Sequence, residues 1–297
     1  MISPENFKNP SNTLFGKIIA IYILVLACIY LVVIQESFSL YFFGASAISW
    51  ALIGWCQFAL FNALHEGLHK RFGQPHRELL AYALTAWPMG FGESYRKIHL
   101  DHHKYFGEPE RDPDYENYAN FPSNRRAFIW RLLLNLSGFM AVIQFFGMRQ
   151  QSTGRGNTSR DSSLLKIVIS QILILLTFTA TVGWYYYIWL WLIPLVTFGK
   201  FFSSTRTFCE HASPDDQPII RTITGSFLGE KIFGVFCFHY HAEHHRYVFI
   251  PCNQLEAAHR KLASTIYQET DNRGARYEHY PNGYLQLLGS WFKALPR

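Results

Sequence analysis

Eight of the 13 histidines in this 297-residue chain fall in three short clusters: His65 and His69 in HEGLH, His99, His102 and His103 in HLDHH, and His241, His244 and His245 in HAEHH. The lone His211 lies between the last two. At this frequency one HxxHH pattern arises by accident in roughly 0.025 of such chains, and two in far fewer. The spacing also has a physical reason. Residues three and four apart share one face of a helix, so each HxxHH offers three imidazoles to one side.

Imidazole is a borderline ligand that suits iron, zinc, copper or nickel, so donor type alone does not name a metal. Ligand number narrows the choice. A structural zinc takes four ligands with thiolates prominent and a catalytic zinc about three, so eight or nine histidines exceed one ion and point to two. Cys28, Cys56, Cys209, Cys237 and Cys252 form no CxxC pair, which leaves neither a zinc knuckle nor a disulfide frame and fits reduced cytosolic thiols.

The elements that must position these clusters are apolar. Ile18 to Ile34 and Leu40 to Leu64 are uncharged runs of 17 and 25 residues, each long enough to cross a hydrocarbon core of about 30 Å. Ile167 to Gly199 adds 33 uncharged residues that read as a hairpin turning near Gly183, with Lys166 and Lys200 snorkelling at its ends. The expected fold is an all-α integral membrane protein. It has four transmembrane helices in two hairpins, at about 14–34, 40–64, 164–183 and 184–202. A cytoplasmic helical cap from 65–163 and 203–297 carries the histidine boxes, and 1–297 forms a single domain. The first run is too long for a signal peptide and has no small-residue cleavage site after it, so it reads as a retained anchor. Leu79 to Phe91, interrupted by Pro88, and Phe128 to Gly147, containing Arg131, read as partly inserted or interfacial helices.

Charge sets the orientation. Gln35 to Ser39 and the turn at Trp184 to Tyr187 hold no Lys or Arg, whereas Lys70, Arg71, Arg77, Arg96, Lys97, Arg125, Arg126, Arg149, Arg155 and Arg160 lie on the other side. The positive-inside rule then puts both termini and every histidine cluster in the cytoplasm. The net charge of +6 is spread over juxtamembrane loops, which indicates attraction to anionic lipid and excludes a nucleic-acid partner. No internal repeat is found, and Gln151 to Ser163 is a Gly/Ser/Arg/Thr-rich linker.

HxxxH, HxxHH and HxxHH in this order, around transmembrane hairpins, resemble the membrane fatty acid desaturase and hydroxylase superfamily from about Phe61 to Leu262. Arg111-Asp112-Pro113-Asp114 and HAEHHRYVFIP followed by Asn253, Leu255 and His259 are similar to the same family. The resemblance implies a non-haem di-iron centre that uses O2 and two electrons to attack an unactivated C–H bond. Carried over, the metal ligands are His65, His69, His99, His102, His103, His211, His241, His244 and His245. His211 joins because it stands 30 residues before His241, in RTFCEHA.

Metal-bound histidines commonly donate their second N–H to a carboxylate, which makes Glu66, Asp101, Glu210 and Glu243 candidates by adjacency and Asp112 and Asp114 candidates by the resemblance. His239 is two residues from His241 and points away on a helix, and His76, His259 and His279 read as ordinary surface or core histidines. The favoured function is O2-dependent desaturation of an acyl lipid. The spans then shape an apolar channel to the metals, lined by aromatics of the second and fourth. The alternatives are hydroxylation or ketolation of a lipid, carotenoid or small amino-acid-derived substrate, and non-catalytic metal binding or transport. Spans almost free of ionisable groups count against transport. No HPGG or GxGxxG motif occurs, so electrons are expected from a separate donor, a ferredoxin or a small cytochrome.

Overall fold

A computed structural model of the chain describes residues 13–143, 163–271 and 274–297. Helix α1 (Thr13–Val33) and helix α2 (Leu40–Leu68) form the first hairpin, and the Ser39 hydroxyl caps α2 by accepting from Phe42 N at 3.1 Å. On α1 the line Ile18, Ile21, Val25, Cys28 and Val32 recurs every three or four residues and is buried, while Ile19, Ile23, Leu26 and Tyr30 on the other face are exposed. An exposed row of large apolar residues suits lipid and not water.

The chain continues through α3 (Pro75–Thr85), α4 (Tyr95–Tyr105) and α5 (Arg125–Leu136) to the second hairpin, α6 (Ser163–Thr181) and α7 (Trp184–His211). The described residues thus contain four helices long and apolar enough to span a membrane: α1, α2, α6 and α7. The protein is an all-α integral membrane protein. Two π turns, Ile188–Leu192 and Leu195–Gly199, flank Pro194 inside α7. Where α2 crosses α7, a Cβ on Gly54 would lie 2.4 Å from Phe198 Cβ and 2.8 Å from Gly199 N, so only glycine permits this approach.

Two helices run further than the sequence indicates. Helix α2 continues past Leu64 to Leu68 and α7 past Phe202 to His211, so each carries box or near-box histidines on its last turns. At 1.5 Å per residue α2 is about 44 Å long and outreaches a hydrocarbon core of about 30 Å. Three aromatics of the second and fourth spans, Phe42, Trp50 and Trp189, pack on one another. The Trp50 indole donates to Trp189 O at 2.7 Å, the Trp189 indole to Ser46 Oγ at 2.9 Å, and Phe42 stacks on Trp189.

The segment Pro75 to Gly90 folds back along the spans. Tyr22 of α1 donates to Leu84 O at 2.6 Å, and the Gln171 amide of α6 donates to Trp87 O and Pro88 O at 3.1 and 3.0 Å. Helix α5 turns Ile129, Trp130 and Leu133 outward, yet its Arg131 is held inside by Asn117 O at 2.6 Å and Ala119 O at 3.1 Å. That inward pairing explains how a charge sits in this apolar stretch. Residues 144–147 of the stretch, the linker 151–162, and Arg149, Arg155 and Arg160 lie outside the described residues.

The cap comprises strand β1 (Ile219–Ile223), α8 (Phe227–Ile232), α9 (His241–Arg246), α10 (Leu255–Ile266), strand β2 (Arg276–Tyr280) and α11 (Tyr284–Ala294). Strands β1 and β2 pair in parallel, Ile219 opposite Arg276 and Ile223 opposite Tyr280, a small sheet the helical reading did not anticipate. Its strands lie far apart in sequence, so neither shows a hairpin signal. A core of Phe106, Phe128, Phe208, Ile220, Tyr284 and Trp291 joins the cap to the end of α7.

Candidate metal centre

Three elements bring the boxes together. His65 stands on the last turn of α2 and His69 caps that helix, its N–H on His65 O at 3.3 Å. His99, His102 and His103 lie on α4, and His241, His244 and His245 on α9. The nine histidines sort into two adjoining groups. Ligand nitrogens of His65, His69, His99, His103 and His244 all lie within 4.8 Å of one another, as do those of His102, His211 and His245. His241 borders the second group, its Nε2 at 2.9 Å from Nε2 of His211. The groups meet where the His103 and His245 rings approach to 4.2 Å.

Hydrogen bonding alone does not satisfy this arrangement. Nε2 of His99 lies 2.9 Å from Nε2 of His69 and 3.0 Å from Nε2 of His103, which in turn lies 3.1 Å from Nε2 of His244. Each neutral ring nitrogen has either one hydrogen or one lone pair, so at most two of these three contacts are well-formed hydrogen bonds. Buried His245 Nε2 has no hydrogen-bond partner at all. Cations at the two centres would accept every lone pair, so the donor set fits two metal ions of the kind imidazole binds. Burial first, and neighbouring imidazoles second, hold His99, His241, His244 and His245 well below the usual histidine pKa, keeping them in the neutral form that ligates.

Residues 42–277, which include all nine histidines, match the fatty acid desaturase family. The chain belongs to that family. It is therefore a membrane enzyme of oxidoreductase type. No curated protein matches it in sequence.

In this desaturase-family protein the acidic candidates separate by where they point. His102 Nδ1 lies 2.8 Å from Asp112 Oδ1, while Asp112 Oδ2 accepts from Tyr118 OH and from Gly107 N at 3.2 Å. Asp114 stands further off, Oδ2 at 3.9 Å from the same Nδ1, and its N–H donates to Asp112. Glu210 Oε2 is 3.6 Å from His241 Nδ1. Its Oε1 accepts from Arg206 Nε at 2.7 Å and Tyr284 OH at 3.0 Å. Arg206 also donates to Asn62 Oδ1 and Phe238 O.

Three adjacent acids serve other groups. Glu243 faces away from the rings beside it and accepts from Thr222, Tyr267 and His259, whose Nδ1 is 2.7 Å away. Burial pushes its carboxyl up, but these hydrogen bonds outweigh it and hold the group below the usual range. Glu66 accepts from Cys252 N at 3.2 Å, pinning the turn after box three, and Asp101 pairs with Lys97 at 3.6 Å toward solvent.

His259, expected as an ordinary histidine, thus belongs to the support of α9, and His279 packs 5.0 Å from its ring. His239 lies outside both groups, with Nδ1 on Gly234 O at 3.2 Å, and His76 is exposed. Asn62, Arg206, Thr222 and Tyr284 were missed, because no local spacing ties them to the boxes they support.

Proposed function

We propose that this chain, as one desaturase-like domain, is a di-iron, O2-dependent desaturase of acyl lipids that converts CH2–CH2 into CH=CH. The observation that carries this reading is the pair of adjoining all-histidine groups at the ends of α2 and α7, inside the family match. The ligands are His65, His69, His99, His103 and His244 for one iron and His102, His211, His241 and His245 for the other. Bound there, the two irons would supply reduction of O2 by two electrons, with the two substrate hydrogens and two protons leaving as two waters.

The chain's own residues keep the imidazoles neutral, fix their directions and exclude water. Fully buried Phe238 packs 4.4 Å from the His65 ring and Phe106 4.6 Å from His211, walls that keep solvent from a site handling reactive oxygen species. Both termini and the centre face the cytoplasm, in line with the basic residues Lys70, Arg71, Arg96 and Lys97 beside the boxes. The electrons come from a separate ferredoxin or small cytochrome.

Expression in a host of known lipid profile tests the reading, with wild type beside His102→Ala and His244→Ala. New unsaturated acyl chains with wild type alone are expected. Lipid extracts identical in all three would sink the acyl desaturase assignment, and a hydroxylated product would reassign the reaction.

A further inference from the structure

The two histidine groups are backed differently at the nitrogen that faces away from the centre. Around His102 and His211 that nitrogen meets an acceptor, Asp112 Oδ1 at 2.8 Å and Ile219 O at 3.3 Å, while Nδ1 of His241 lies between Arg206 Nη2 at 3.4 Å and Glu210 Oε2 at 3.6 Å. In the other group the buried Nδ1 of His244, whose Nε2 faces His103, has no hydrogen-bond partner. An imidazole that donates to a carboxylate binds more strongly through its opposite nitrogen, and loss of such a partner typically costs 10–100-fold in metal affinity.

We propose that the two metal positions are inequivalent: the one formed by His102, His211, His241 and His245 holds its ion more tightly, with Asp112 and Glu210 as positioning residues. This rests on the reading that both groups hold iron. Glu210→Gln would leave Arg206 buried without its counter-charge, so Asp112→Asn is the more informative substitution.

Iron-loaded full-length protein in lipid nanodiscs is equilibrated against graded chelator, and retained iron per chain is read together with the Mössbauer spectrum. Wild type releases its irons in two steps separated by about ten- to a hundredfold in chelator, leaving one spectroscopic species between them. Asp112→Asn weakens the tighter step by a similar factor and leaves the looser one in place. Release of both irons from wild type in a single step overturns the proposal even if the variant does not fold. So does a variant in which the looser step moves or neither does. A wild-type protein that never holds two irons overturns the di-iron reading itself.

Discussion

Boxes two and three share the spacing HxxHH but take their order from different sources. Box two lies on α4, an eleven-residue helix with Lys97 and Lys104 exposed along one side, so most of its backbone hydrogen bonds are internal. Box three lies on α9, six residues long, in which His241, Ala242, Glu243 and His244 are all buried. So short a helix cannot sustain itself, because nucleation is costly and few bonds follow it. The surrounding cap supplies what is missing. Thr222 of β1 accepts from Ala242 N at 3.2 Å and donates to Glu243, while His259 and Tyr267 donate to the same carboxylate. One motif is ordered locally and the other by tertiary contact.

The largest effect is expected where the boxes are alike. Boxes two and three each feed both groups, with His103 and His244 in one and His102 and His245 in the other. His103→Ala and His244→Ala should therefore both abolish product formation, by more than about a hundredfold, and lower the iron content per chain. Retention of wild-type activity by either variant would separate that histidine from the centre. The boxes part company at the next level. Glu243→Ala leaves three donors without an acceptor in a buried place, each costing about 1–3 kcal/mol, so a loss of about 3 kcal/mol or more is expected. Its apparent melting temperature in detergent should fall sharply and iron should be lost from both positions, since α9 serves both. An unchanged melting curve would show that α9 does not depend on the cap.

What the sequence makes legible follows from local periodicity. Uncharged runs mark the four long helices, and three- and four-residue spacing puts the histidines of each box on one face. The direction of an acid beside a ligand is set by helical phase. Asp101 adjoins His102 yet turns to Lys97 one helical turn earlier, and Glu243 adjoins His244 yet faces the cap, whereas Asp112 reaches His102 from a separate turn. Contacts between distant segments leave no local trace at all. Arg206 meets Asn62 across 144 positions, and Arg221 of β1 meets Glu278 of β2 across 57. His259 looks isolated in the sequence for the same reason, although it supports the helix of box three.

Single hydroxyls give a finer test of local against tertiary order. Tyr267→Phe removes one donor to Glu243 and leaves Thr222 and His259 in place, so about 1 kcal/mol is expected from the melting curve. Tyr118→Phe removes one donor to Asp112, which keeps Gly107 N and the N–H of Asp114, so the same order of loss applies. The two should differ in what accompanies the loss. Tyr267→Phe loosens the backbone of α9, whose hydrogen exchange should quicken, whereas α4 keeps its own backbone bonds after Tyr118→Phe and its exchange should stay unchanged. The smallest effect belongs to Lys97→Ala on α4, where a largely exposed partner pairs with Asp101 at 3.6 Å one turn away. Screening by water and salt limits such a pair to about 0.3–0.5 kcal/mol, so melting temperature and activity should both hold within error. A loss of more than about 1 kcal/mol from Lys97→Ala would mean that α4 also leans on its side chains for order.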